Sequence, residues 1–558
     1  MPTLTIDGKV CEFSPGEVIL KVALRNQQPI PYYCYHPGLS IVASCRICLA
    51  EVWAPNPRNN NALEPMPKLV PTCQTAATEG MVVYTASPKA AQNQKAVMEY
   101  LLINHPLDCP VCDQAGECLL QDYSYEYGRS VSRFEEDKIK QPKKDLGPNV
   151  LLYSDRCIMC SRCVRFTREV SGTAELTVEG RGAYEQIDVF PGKALDNPLA
   201  SNVVDICPVG ALLDKDFLFA QRVWFLKAAA SIDGLTASGD NLWVEQNEGR
   251  VYRVKPRENM AVNRWWITDE VRYGWKHAHA ESRVAQPMVR EFGAPVPVEP
   301  KRAVDEAVKG MRGKRIAAMV SPMLACEEAC TLAKAAMALS GDVTFVIGPV
   351  PFRGVDKVFP EGAKPAHEGG PGFVVRAEKA PNARGVRRVL GALAAGRVRE
   401  FPDAEHTLGG FDAVLVTGNY PSAWASDAML RALAGEHGRR PFLVVIDTLA
   451  SALTERADVL IPGATWLEKA GTFENATHLL QSFHSAIPPI DGARAEGQTG
   501  LDLLSVAQGS PARAYDAARL RAEMARERPH ELGGFASGTI EPEEAESRRV
   551  SDMAVVAL

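Results

Sequence analysis

Cys34, Cys45, Cys48 and Cys73 stand as C-x10-C-x2-C-x24-C near the start of the chain. Four thiolates, several on one loop and one from a distant strand, are what a [2Fe–2S] cluster needs. A zinc knuckle is built from two tight pairs. This group has one pair and two singles, which favours the cluster and leaves zinc or packed core thiols as alternatives. Gly38, Ser40 and Ser44 lie along the loop and suit a backbone that turns N–H groups toward sulfur, raising a cluster's potential. Cys11 falls inside a predicted strand and reads as a packed thiol.

His105, Cys109, Cys112 and Cys118 form H-x3-C-x2-C-x5-C. Three thiolates and one imidazole on so short a segment can ligate a [4Fe–4S] cluster. Exchanging a thiolate for neutral imidazole removes a negative charge and favours the reduced state. Histidine is also common at a helix C-terminus for dipole reasons. His105 becomes a candidate because three cysteines follow it without a fourth nearby. Zinc on the same four residues is the competing reading.

Cys157, Cys160 and Cys163 form C-x2-C-x2-C, and Cys207-Pro208 follows 44 positions after Cys163. This is the bacterial ferredoxin pattern, a triplet sharing a cubane with a remote Cys-Pro. With one triplet and one Cys-Pro, all four belong to one [4Fe–4S] cluster, and Val209, Gly210, Ala211 and Leu212 fit the tight turn that follows. The spacing is poor for zinc. Arg162, Arg165 and Arg168 read as solvated or paired charges; in a second reading one of them favours the reduced cluster.

The elements that must position these groups are legible in outline. Residues 2–13 predict a hairpin about Asp7-Gly8, and Ser14 with Glu17 offers a capping box before a helix over 18–26. Residues 55–71, rich in Pro and Asn, predict a surface loop. A closing strand is expected at 81–85, a helix from Ser87-Pro88 to about Asn104, and a linker over 138–149. From about Gly313, β-rich runs at 315–320, 343–347, 413–417 and 442–446 with helical stretches between some of them predict a parallel α/β sheet. Beyond Gln508 a flexible helical or disordered tail is expected.

Composition narrows the class. At roughly 100–200 residues per domain, the 558 residues imply about three to five domains. A net charge of −6 gives no footprint for nucleic acid. No apolar run reaches the ~18 residues of a membrane span, and the N-terminus lacks a signal-like apolar segment. Cysteines grouped in a large chain point to metal rather than disulfides. No G-x-G-x-x-G follows a strand and no Walker A is present, so no NAD or FMN site is expected.

The order of the three groups, followed by an α/β region, resembles the family of the 75 kDa iron–sulfur subunit of NADH-quinone oxidoreductase (complex I). The likeness covers roughly residues 1–485. It is strongest over residues 108–122, DCPVCDQAGECLLQD, and residues 156–166, RCIMCSRCVRF. Residues 224–275 resemble a small domain that in some members carries a fourth cubane. This chain has Ser231, Asp233 and Asp269 in that region and no cysteine, so the extra cluster is expected to be absent. The stretches ADVLIP (457–462) and EKAGTFEN (468–475) resemble a molybdopterin oxidoreductase fold, here shortened. Cys326 and Cys330, four apart on a predicted helix, read as buried core, and no molybdopterin is expected.

The fold class implied is α/β and α+β multidomain. A β-grasp [2Fe–2S] domain takes 1–86, a histidine–cysteine [4Fe–4S] domain 87–137 and a ferredoxin-like [4Fe–4S] domain 138–220. A small domain without cluster cysteines takes 221–280, a truncated molybdopterin oxidoreductase-like domain 281–508 and the tail 509–558. The resemblance implies one [2Fe–2S] and two [4Fe–4S] clusters in an electron wire of NADH:quinone oxidoreductase, with no complete active site in this chain alone. Its partners would be an NADH/FMN-binding subunit, a downstream [4Fe–4S] subunit and other peripheral-arm subunits, with the membrane arm touched only indirectly. Its place would be peripheral, on the cytoplasmic face of a bacterial inner membrane or the matrix side of a mitochondrial one. The rival is an electron-transfer subunit of an NAD-linked hydrogenase or formate dehydrogenase. Such hydrogenase subunits commonly stop after the third group, and an active formate dehydrogenase needs a metal-ligating cysteine in the α/β domain. A zinc-stabilised scaffold is the reading from another class.

Overall fold

The computed structural model describes residues 1–435 and 439–540. Its contacts divide the chain into two units, Met1–Phe225 with Phe359–Glu361, and Leu226–Val358 with the chain from Gly362 onward.

The first unit opens with β1 (Thr3–Ile6) and β2 (Lys9–Glu12), antiparallel about Asp7-Gly8, both at positive φ. The helix α1 (Ile19–Arg25) follows. The sheet continues through β3 (Leu49–Asn56), β4 (Ala62–Pro65), β5 (Val70–Pro71) and β6 (Val82–Tyr84), in the order β2-β1-β6-β3-β4 with β5 paired to β3. β1 and β6 run parallel, which is the grasp. Alternation on β1 buries Leu4 and Ile6 against Ile19, Leu20 and Val22 of α1. Cys11 is packed in the same core, as expected.

Three local features differ from expectation. The Glu17 carboxylate does accept the Ser14 N–H at 2.8 Å, but it makes a turn ahead of α1 rather than its cap. Glu17 instead pairs with Arg25 at the far end of that helix. The stretch 55–71 is not a bare loop. Asn56 accepts from the Arg58 N–H, Glu64 accepts from Asn56 and Asn59, and the side chains so paired turn β3 back into β4. In the expected linker, β7 (Lys143–Asp145) pairs with β8 (Val150–Tyr153).

After the sheet come α2 (Pro88–Leu102), capped by Ser87, and α3 (Leu119–Tyr127), with the His105–Cys118 segment between them. The third cysteine group hangs on β8, α4 (Arg162–Glu169), the hairpin of β9 (Leu176–Glu179) and β10 (Gln186–Val189), α5 (Asn202–Ile206) and β11 (Leu212–Asp214). β11 pairs with β8, which brings Cys207 back to the triplet.

The second unit holds a three-stranded antiparallel sheet of Lys227–Ile232, Asn241–Asn247 and Arg250–Pro256. Its eight-stranded sheet runs Ala294–Pro297, Met288–Glu291, Val459–Pro462, Phe442–Asp447, Ala413–Thr417, Ile316–Val320, Val343–Ile347 and Val398–Arg399. The last six are parallel and the first two form an antiparallel edge hairpin. This is the predicted alternation, with central strands such as Ile316–Val320 buried along their whole length. Cys326 and Cys330 are buried on the helix Cys326–Leu339.

The tail departs from expectation. Residues 509–540 include helices Ala517–Glu527 and Pro529–Leu532, and Met524, Leu532 and Phe535 are buried in the α/β core. The apolar positions are few, but the helices bring them to one face. Residues 541–558 lie outside the described residues.

Candidate electron-transfer sites

The first site lies where α1, the loop after it and β3 meet. Cys34 contacts Cys45 and Cys73, and Cys73 contacts Cys48, so the structure brings all four sulfurs together. Hydrogen bonds from Cys45 and Cys73, aided by the backbone N–H groups of Cys45 and Ser44, hold Cys34 far below an ordinary thiol. Contact with Cys73 brings Cys48 down to about 7, with help from Thr72. Of the three loop residues expected to serve sulfur, only Ser44 does. The Gly38 N–H goes to His36 Nδ1 at 3.1 Å, and the Ser40 N–H to Glu169 at 2.8 Å.

The third site is built by an unusual backbone path. Met159 and Ser161 lie at φ +52° and +58°, a region costly for side chains bearing a Cβ and held where the surroundings demand it. The path turns N–H groups inward: Met159 donates to Cys157 Sγ at 3.4 Å, Arg162 to Cys160 and Val164 to Cys163. The turn after Cys207-Pro208 supplies three more, from Val209, Ala211 and Leu212. The four cysteines line one cavity with Leu152, Ile187 and Val209. Burial pushes Cys157 up to about 12 and Cys160 to about 11. Such thiols stay protonated at neutral pH unless a cation takes the proton's place. An all-sulfur donor set in an apolar cavity with N–H groups aimed at it suits an iron–sulfur cluster.

The second site is more open. Cys112 and Cys118 are buried and Cys109 is exposed, beside exposed Leu107 and Val111. Cys118 sits at the N-terminus of α3, where the Leu120 and Gln121 N–H groups point at its sulfur, while burial pushes it up to about 12. The three thiols lie within electrostatic reach of one another. His105 is tied to them through Arg156, which faces both His105 and Cys112. Burial and Arg156 bring His105 down to about 4, so its imidazole is neutral and free to bind metal. Among the described residues no group of three or more His, Cys, Asp or Glu is arranged to hold a single metal ion. A cluster, whose ligands bind different irons, sets them further apart.

The three sites are adjoined by residues that spacing could not reveal. Arg156, buried, donates Nε and Nη2 to Asp108 Oδ2 at 3.0 and 2.7 Å and Nη1 to Gly210 O at 3.4 Å. It thereby joins the second site to the turn of the third. A Cβ on Gly210 would stand 2.2 Å from Cys112 Sγ. Between the first and second sites lies Tyr33, fully buried, with its hydroxyl on Met98 at 3.2 Å and its phenol facing Cys45 and Cys118. The arginines of α4 are not solvated as a group: Arg162 and Arg165 are buried and only Arg168 is exposed.

Comparison with known proteins agrees with this arrangement. Residues 1–88 match a 2Fe-2S iron-sulfur cluster binding domain, and residues 94–133 the NADH-ubiquinone oxidoreductase-G iron-sulfur binding region. Residues 147–213 match the NADH-quinone oxidoreductase subunit 3 ferredoxin-like domain. The chain belongs to the 75 kDa iron–sulfur subunit family of NADH-quinone oxidoreductase. Members of the family similar to it include an NADH-quinone oxidoreductase subunit of Rickettsia bellii, 35% identical over 59% of this chain and 47% of that one. The mitochondrial NADH-ubiquinone oxidoreductase 78 kDa subunit of Neurospora crassa is 41% identical over 54% of this chain and 39% of that one. The matches span about half or less of the length of these relatives. A crystal structure of an NAD+-reducing [NiFe]-hydrogenase in the H2-reduced state covers 40% of this chain and 91% of its own at 28% identity, with a TM-score of 0.34. In the second unit, residues 399–498 match molybdopterin oxidoreductase, and residues 226–276 an NDSU1/NuoG-like 4Fe-4S domain of the same family. That last stretch contains no cysteine. Its Asp233 is buried and accepts from Leu235, Thr236 and Ser238, and a Cβ on neighbouring Gly234 would meet Trp466 at 2.2 Å.

Proposed function

We propose that the chain is a one-electron wire in an NADH:quinone oxidoreductase, holding one [2Fe–2S] and two [4Fe–4S] clusters. Cys34, Cys45, Cys48 and Cys73 would hold the first. His105, Cys109, Cys112 and Cys118 would hold one cubane, and Cys157, Cys160, Cys163 and Cys207 the other. Bound clusters supply sites that gain and lose single electrons with little rearrangement. The chain's own residues deliver N–H groups to sulfur, exclude water at the third site and fix the spacing between sites.

The observation that carries this reading is the central place of the Cys157 site, bonded to the loops of both others. The flanking sites are the ones with exposed edges, at Ile41 and Val42 on one and Leu107, Cys109 and Val111 on the other. That favours arrival at the Cys34 site from a flavin-bearing partner, transfer to the Cys157 site, and departure from the His105 site to a downstream [4Fe–4S] subunit. No helix among the described residues is long and apolar enough to cross a membrane, so proton translocation falls to other subunits and this one sits peripherally. The molybdopterin-like body serves as a scaffold that binds no molybdopterin.

Two experiments test the reading. The purified, cluster-loaded chain is expected to bleach with dithionite and to stay coloured with NADH until a flavoprotein is added, because no dinucleotide fingerprint is present. Rapid bleaching by NADH alone would overturn the wire. His105→Cys is expected to keep a cubane at a lower potential, since a thiolate adds negative charge. An unchanged potential with the cluster intact, read by EPR-monitored titration, would remove His105 from the ligand set.

A further inference from the structure

Helix α4 begins inside the C-x2-C-x2-C motif, with Cys163 its second residue, and its exposed end lies against the loop of the first site. Three arginines project from it and do different things. Arg162 donates to Ile206 O at 3.0 Å and so stays within the third site. Arg168 is exposed. Arg165, 8% exposed, reaches across: Nη2 donates to Cys34 O at 2.5 Å and to Cys160 O at 3.3 Å, and Nη1 donates to Ser40 O. One turn on, Glu169 accepts from the Ser40 N–H at 2.8 Å and its hydroxyl at 2.5 Å.

We propose that Arg165 is the shared charge of two cluster sites, its fork bonded at once to the carbonyls of Cys34 and Cys160 so that one buried cation raises the potential of both. The proposal rests on the cluster reading above. A guanidinium is permanently charged and planar, and suits a position that must bond several carbonyls in fixed directions. Buried beside two ligand loops, it favours the added electron at each site, since charge interactions are screened least away from water. Glu169 is exposed and offsets only part of that charge. A plain clamp between the loops would also need these bonds, but it would leave the potentials where they are.

The test is an EPR-monitored redox titration of the cluster-loaded full chain. In Arg165→Met the [2Fe–2S] potential and that of the Cys157 cubane are both expected to fall by about tenfold in reduction equilibrium, ~59 mV for one electron. The His105 cubane, which lacks this contact, should move much less. An unmoved potential at either site, with all clusters present, would overturn the proposal, as would equal shifts at all three. If the methionine variant loads poorly, Arg165→Lys decides. It keeps the charge without the fork, and a smaller fall at both sites supports the proposal, whereas no fall at one of them defeats it. A wild-type chain lacking three cluster signals would instead sink the cluster reading itself.

Discussion

Gly210→Ala is expected to strip the His105 site of its cluster, taking iron from about ten atoms per chain to about six, while the other two clusters remain. The added Cβ would stand 2.2 Å from Cys112 Sγ and 3.1 Å from Gln114 Cβ. That is more than 1 Å inside an ordinary van der Waals contact of about 3.5 Å. Gly210 is not at positive φ, so alanine meets no backbone strain there and the damage is steric. Which side yields follows from how each is held. The turn at Gly210 is fixed by the Leu119 N–H on Pro208 O at 3.0 Å, by Arg156 on Gly210 O and by β11 beside it. Cys112 sits on the more open segment, next to exposed Cys109. Its sulfur should therefore be displaced, and a cubane missing one ligand is readily lost. Iron analysis with EPR of the dithionite-reduced chain reads the result. Gly391→Ala, where a Cβ meets nothing within 4 Å on the helix Ala383–Leu393, is the matched control. Unchanged iron and an unchanged spectrum in Gly210→Ala would refute the close approach.

The cysteine groups were legible because most ligands of a cluster come from one loop, so their spacing is written locally. The parallel sheet was legible because strands buried on both faces, such as Ala413–Thr417, read as unbroken apolar runs. What joins the sites was not. Arg165 and Cys34 are 131 residues apart, Arg156 and Asp108 are 48 apart, and each arginine read alone resembles any surface charge. The one sequence signal was indirect: three arginines on a helix that also carries a ligand cannot all face water. The capping box failed for a related reason, since Glu17 had a second partner in Arg25 that the pattern does not register. The 55–71 stretch was misread because Asn and Pro mark turns without showing whether strands pair across them.

The stretch 468–475 carried a resemblance without a physical account, and the structure supplies one that is also testable. Glu468 pairs with Arg283, Lys469 with Glu328 and Glu496, Thr472 with Glu327, and Glu474 with Arg388. A polar run that could pass for a loop is a buried network. At its centre Lys469 Nζ lies 2.9 Å from Glu328 and 2.6 Å from Glu496, with all three side chains at most 1% exposed. Glu496 also accepts from Asn419 at 2.6 Å. Burial pushes Glu496 up to about 8, against an ordinary value of 4.5. A carboxyl raised on folding contributes stability that is complete below 4.5 and lost as pH climbs through about 8. Lys469→Met keeps the volume and removes the only cation in contact with both carboxylates among the described residues. Breaking a buried ion pair from one side costs about 3–5 kcal/mol. The second unit is therefore expected to unfold at much lower denaturant in this variant. The gap should be widest above pH 8, where Glu496 must ionise without its partner, and should narrow as the pH falls toward 4.5. Glu496→Gln should flatten the wild-type pH slope over the same window. Far-UV circular dichroism against urea at several pH values measures both. A Lys469→Met midpoint equal to wild type at pH 8.5 would mean that the triad is solvated in the folded protein and stabilises nothing.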